Sequence, residues 1–148
     1  MRKLDHAGLL ELRARFDSLH DAWICRVELD LNGDQPRMCW FLRAIEFPKG
    51  FEEWGKGPQP HSVQLKLELR GLEAWTVKQL PNYTFGLVFE GHIDFVGEQV
   101  YVDFDYQHHE HEFVAERFND PDNWTWLVSS ERYALGSELW WEVNEVDQ

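Results

Sequence analysis

Phe16-Asp17-Ser18-Leu19-His20-Asp21-Ala22-Trp23-Ile24 is the stretch whose reading decides the fold. Upstream of it, Leu9, Leu12, Phe16 and Leu19 recur at i, i+3, i+7 and i+10, one stripe of an α-helix. Asp5 is placed to cap the start, and Glu11 with Arg15 makes an i,i+4 pair, so a helix is expected over about 6–17. Downstream the period drops to two: Trp23, Cys25, Val27, Leu29 and Leu31 alternate with Ile24, Arg26, Glu28 and Asp30. A helix hands over directly to a half-buried strand.

The rest of the chain keeps the period of two. Asn32-Gly33-Asp34 signals a turn, and a second strand runs from about Arg37 to Phe47. Residues 48–61, rich in Gly and Pro, form a long loop inside one domain rather than a boundary, because strands of the same kind continue beyond it. Val63, Leu65, Leu67 and Leu69 then alternate with Gln64, Lys66, Glu68 and Arg70, and a short strand is expected over 72–78. Tyr83, Phe85, Leu87, Phe89, Ile93 and Phe95 mark one face of a long strand, and Val100, Val102, Phe104 and Tyr106 one face of the next. A turn at Gly97-Glu98 pairs Phe95 with Val100, which sets His92 opposite Asp103 and Glu90 opposite Asp105. Two closing strands are expected over 124–133 and 139–146, joined near Gly136. One N-terminal helix followed by about eight or nine sequential strands reads as a mainly β single domain over 1–148, an antiparallel β-sandwich or barrel-like meander.

Charge narrows the partners. The formal net charge is -13, unevenly spread: residues 101–148 hold 12 acids against Arg117 and Arg132, a net of -10, which leaves -3 for residues 1–100. Such a surface repels nucleic acid and anionic lipid and attracts a basic protein or a cation. No apolar run approaches the length of a membrane span, and none follows Met1-Arg2-Lys3 as a secretory leader requires. Cys25 and Cys39 share parity with apolar residues on their strands and read as two buried, reduced thiols, which fits the cytoplasm.

Three sets of residues can carry chemistry. Leu19, His20 and Asp21 sit at the helix–strand junction. Adjacent side chains in an extended chain point opposite ways, so His20 and Asp21 are expected to hold backbone groups rather than form a dyad. His92, Asp94, Asp103 and Asp105, joined by His109 and His111 if the strand runs on, would put imidazoles and carboxylates on one sheet face, a chemistry that suits a divalent metal. Trp54 in the long loop, and Trp140 beside Glu142, are aromatics in polar company and suit a protein interface, as does the acidic face around His92, Asp103 and Asp105. No serine has a nucleophile-elbow context, and no catalytic base stands out, so an enzyme is the lesser expectation.

Phe16-x-x-Leu19-His20-Asp21-Ala22, followed at once by an alternating strand, resembles the start of small bacterial β-proteins that include predicted immunity proteins of polymorphic-toxin systems. Leu67-x-Leu69-x-Gly71-Leu72, the Tyr83 to Phe95 run and the closing strand pair extend the likeness. The resemblance implies a non-catalytic, toxin-neutralising role. Three readings follow: an immunity-type inhibitor of a basic toxin, a metal-binding protein or metal-dependent enzyme built on the His/Asp face, and a structural or adaptor domain without a special site. A homodimer through a sheet edge near residues 124–146 is a further expectation.

Overall fold

The computed structural model describes residues 1–77, 87–88, 91–104 and 132–145. After a two-residue strand β1 (Arg2–Lys3) comes helix α1 (His6–Phe16). Its cap is the one expected: the Gly8 N–H donates to Asp5 Oδ1 at 2.6 Å. Leu9, Leu12 and Phe16 are its buried stripe, and Arg15 bonds Glu11 at 3.2 Å. The helix stops at Asp17, whose φ of 45° is left-handed and whose N–H donates to the Arg13 carbonyl. A single 3₁₀ turn (Asp17–Leu19) leads into the first long strand.

The strands are β2 (Ala22–Asp30), β3 (Arg37–Glu46), β4 (His61–Arg70), β5 (Ala74–Val77), β6 (Leu87–Val88), β7 (His92–Val96), β8 (Gln99–Asp103), β9 (Arg132–Gly136) and β10 (Glu138–Glu145). They form two antiparallel sheets, one ordered β1-β10-β4-β3-β2-β6 and the other β5-β9-β8-β7. The sheets share one core, so the molecule is a mainly β sandwich with α1 packed into it. Val63, Leu65, Leu67 and Leu69 of β4 face Leu42, Trp40 and Met38 of β3 and Leu139 and Trp141 of β10, while Ile93, Val100, Val102, Phe104 and Ala134 come from the smaller sheet. Each such side chain contributes roughly 1.5–3 kcal/mol by leaving water, so this layer outweighs any surface ion pair.

The β7–β8 register is the one that parity and the Gly97-Glu98 turn imply: His92 opposes Asp103, and Phe95 opposes Val100. Three other expectations change. In β2 the register shifts between Ile24 and Arg26, so Cys25 sits in a bulge and the facing reverses there. Ile24 is buried while Trp23, 44% exposed, points away from the core. In β3 the buried face is Met38, Trp40, Leu42 and Ala44, not the face that carries Phe41 and Ile45. The run from Tyr83 to Phe95 is not one strand in its described part. Leu87–Val88 pair with β2 in one sheet and His92–Val96 with β8 in the other. The two are parted at Gly91, where a Cβ would lie 2.9 Å from Leu19 Cδ1. In the described part of residues 124–146, β9 lies between β5 and β8, and β10 lies between β4 and β1, which pairs with only Trp140 and Trp141. The expected segments over residues 105–131 lie outside the described residues.

Among the described residues no helix is long and apolar enough to cross a membrane. Both cysteines are free, but only Cys39 is buried; Cys25, in its bulge, is exposed. Burial pushes the Cys39 thiol up to about 11. A disulfide reagent at pH 8 is therefore expected to modify one thiol per native chain rapidly, and Cys25→Ser to remove that fast phase entirely. Two equally fast thiols would contradict the bulge.

Candidate functional site

One end of the sandwich gathers the end of α1, the end of β3 and the start of β4. The loop over residues 47–60 that joins those two strands is built from its own backbone outward. Its first residue is tied to the helix: the Phe47 N–H donates to the Arg15 carbonyl at 2.7 Å, and Arg15 reaches Glu46 at 3.1 Å. Left-handed glycines at Gly50, Gly55 and Gly57 give it tight corners that side chains resist. Gln59 then clasps the ring of chain. Its Nε2 lies within 2.9 Å of the Lys56 carbonyl and 3.2 Å of the Glu53 carbonyl, and its Oε1 accepts from the Gly55 N–H at 2.9 Å. A Glu53–Lys56 ion pair of 3.1 Å closes the tip.

This frame presents three aromatics. Phe47, Phe51 and Trp54 pack edge to face, with ring centroids 5.1, 6.1 and 5.7 Å apart. The two phenylalanines are half-buried, whereas Trp54 is 64% exposed. Covering that exposed part would remove roughly 100–160 Å² of ring from water, about 2–4 kcal/mol. The loop holds this unfavourable surface in place through one glutamine side chain, whose Oε1 accepts from the Gly55 N–H and whose Nε2 faces the Glu53, Lys56 and Gly57 carbonyls.

The Leu19-His20-Asp21 junction adjoins the same end. Asp17, Leu19 and Asp21 are the described non-glycine residues with positive φ, at 45°, 56° and 61°. Leu19 accepts this strain because it is buried to 2% and fills the space left by Gly91. The left-handed twist at Asp21 also overturns the expectation that neighbouring side chains must diverge. His20 Nε2 lies 3.6 Å from Asp21 Oδ2, with both groups in solvent.

The His/Asp face is committed to internal contacts in its described part. Asp103, buried to 1%, accepts from the Tyr101 hydroxyl at 2.6 Å. His92 Nε2 stands 3.7 Å from Asp94, and Arg13 stands 3.7 Å from the same carboxylate while donating to the Ile93 carbonyl at 2.8 Å. Asp94 also accepts from the Phe95 N–H at 2.8 Å. Arg13 and Asp94 thereby occupy the backbone edge of β7 and block another strand there. Burial works against the Asp94 carboxylate, but His92, Arg13 and that N–H together hold its carboxyl below the ordinary value of 3.8. A depressed folded-state value contributes stability above pH 3.8 that is lost as pH falls through the folded value. The urea midpoint of Asp94→Asn should therefore vary less with pH below about 4 than that of the native chain. Equal slopes would remove Asp94 from the acid response. A cleft of about 30 Å³ beside this group, lined by Leu12, Arg13, Leu19, Gly91, His92 and Ile93, has room for one water. No group of three or more metal-binding side chains occurs among the described residues. Asp105, His109 and His111 lie outside them.

Trp140 and Glu142 lie on the outer face of the large sheet, away from the aromatic loop's strand ends. Trp140 is half-buried; Arg70 lies 4.4 Å over its ring, and its Nε1 donates to Glu138 at 3.0 Å. Glu142 pairs with the N-terminal amine at 3.7 Å. Both are tied into a surface lattice. An open hollow of about 570 Å³ beside the β2–β3 turn contains Arg37 and Arg70, already paired with Asp30 and Glu68 at 3.5 and 2.7 Å.

The residues named from sequence thus fall on three separate regions, and Trp54 is the one held open by a dedicated frame. Phe47, Phe51 and Gln59 were missed as its supports. The signal present was a glutamine between two prolines at the end of a glycine-rich loop, a position where a side-chain amide can replace absent backbone partners. No protein-family model, curated protein or solved structure matches this chain.

Proposed function

We propose that this chain is a non-catalytic binding protein of the immunity type, which neutralises a basic bacterial toxin by occupying its surface. The observation that carries the reading is Trp54, 64% exposed on a loop whose conformation is fixed before any partner arrives. A rigid aromatic anchor loses little entropy on binding, and large aromatic side chains dominate interface energetics. The net charge of -13 supports the choice of a basic partner, because opposite charge raises the association rate more than it raises affinity.

The test is calorimetry and stopped-flow association with the products of the genes neighbouring this chain's own, any basic one first. A saturable one-to-one complex is expected, with association slowing steeply as salt rises. Trp54→Ala should weaken it by about 1–2 kcal/mol, roughly five- to thirtyfold, with the thermal midpoint unchanged. Absence of a complex, or a Trp54→Ala chain that binds as tightly as the parent, would sink the proposal.

A further inference from the structure

We infer that Gln59 is the positioning residue of the Trp54 anchor and sets its affinity by fixing the backbone on either side of the ring; this rests on the binding reading above and says how that site is controlled. The two peptide groups that flank the Trp54 Cα are both held by this one side chain. Gln59 Oε1 accepts at 2.9 Å from the Gly55 N–H, which belongs to the peptide plane after Trp54. Gln59 Nε2 lies 3.2 Å from the Glu53 carbonyl oxygen, which belongs to the plane before it. A peptide plane is rigid, so a grip on both planes leaves the Trp54 backbone little freedom to turn. The same Nε2 reaches the Lys56 carbonyl at 2.9 Å and draws the far side of the loop to the same point.

The other restraints in the loop are weaker. Its own backbone bonds are local: the Phe51 N–H donates to the Pro48 carbonyl at 3.2 Å, and the Lys56 N–H to the Glu53 carbonyl at 3.4 Å. Gly50, Gly55 and Gly57 are the residues whose backbones resist turning least. The Glu53–Lys56 ion pair is exposed and contributes little. Phe47 and Phe51 meet the indole only edge to face and leave it 64% exposed. Without the Gln59 side chain the loop is expected to sample conformations that carry the ring elsewhere, and a partner binds only the fraction that keeps it in place. A fraction of about one-third to one-tenth raises the apparent Kd about three- to tenfold. No residue of 47–60 belongs to the buried core, so the thermal midpoint should hold.

The test has one arm without a partner and one with it. The intact chain is labelled with 5-fluorotryptophan, giving one ¹⁹F resonance for each of the eight tryptophans. The Trp54 signal is the one lost in Trp54→Phe. In the free chain, Gln59→Ala should shift and sharpen the Trp54 signal while the others and the thermal midpoint stay in place. An unmoved Trp54 signal would overturn the inference with no partner present. The second arm is a double-mutant cycle with the basic neighbour that binds the parent. Gln59→Ala should weaken that complex about three- to tenfold in the parent, and less than about twofold in the Trp54→Ala chain. No loss in the parent would overturn the inference. So would an equal loss in both backgrounds, because Gln59 would then touch the partner itself; the binding reading stands in either case. If no neighbour binds the parent, the binding reading falls and the claim on affinity falls with it, whereas a moved Trp54 signal still assigns Gln59 its positioning role.

Discussion

Trp141→Ala is expected to lower the unfolding free energy by about 3–5 kcal/mol, a large part of the 5–15 kcal/mol that keeps a domain folded. Trp141 is 2% exposed and belongs to the shared core. It is also the side chain on which separate parts of the molecule meet. Arg2 of β1 lies 4.2 Å over its ring and Arg15 of α1 5.5 Å, and its strand pairs with β1 on one side and β4 on the other. Alanine would leave a cavity that neither sheet can close, since both neighbouring strands are pinned by their own ladders. Urea unfolding of the two chains, read by far-ultraviolet circular dichroism, measures the difference. A loss below about 1 kcal/mol would mean that α1 and β1 collapse into the space and that Trp141 is not the joint described.

Gly136→Val should cost roughly 3 kcal/mol, the upper end for an overfilled site. The chain leaves the smaller sheet at Gly136 and enters the larger one at Glu138, with only Ser137 between. A Cβ on Gly136 would lie 2.8 Å from Leu69 Cγ and 2.9 Å from the Arg70 carbonyl oxygen. The first can turn aside; the second is backbone, held by the Ser137 N–H at 2.8 Å. Differential scanning calorimetry of Gly136→Val and Gly136→Ala should show the midpoint falling for both, further for valine. An unchanged midpoint for valine would show that the crossing has room to spread.

Several features were legible because a short-range rule decided them. The Asp5 cap, the α1 stripe and the β7–β8 register each depend on residues within one turn or one hairpin. The face of β3 was not, because both of its faces carry large apolar side chains. The choice was made by β4 across the sheet, where Met38 meets Leu69 and Trp40 meets Leu67. The bulge at Cys25 left no composition signal: Trp23 and Ile24 are equally apolar, and only the register shift tells which turns inward. Trp54 was legible as an aromatic in a polar loop. The frame beneath it was not, because the Gln59 amide holding the loop open acts through backbone carbonyls, which every sequence has.

The place of β4 in the large sheet also bears on how the chain is made. Its two neighbours come from very different times in synthesis: β3 ends 15 residues before it begins, while β10 starts 68 residues after it ends. At about 5–20 residues per second, a ribosome delivers β10 roughly 3–14 s after the end of β4. For that interval Val63, Leu65, Leu67 and Leu69 lie on a strand whose second edge is open. The nascent chain therefore passes through a stage with a half-built apolar sheet facing water or a chaperone. Arg70 and Lys66 on the opposite face of that strand act as charged gatekeepers while it waits.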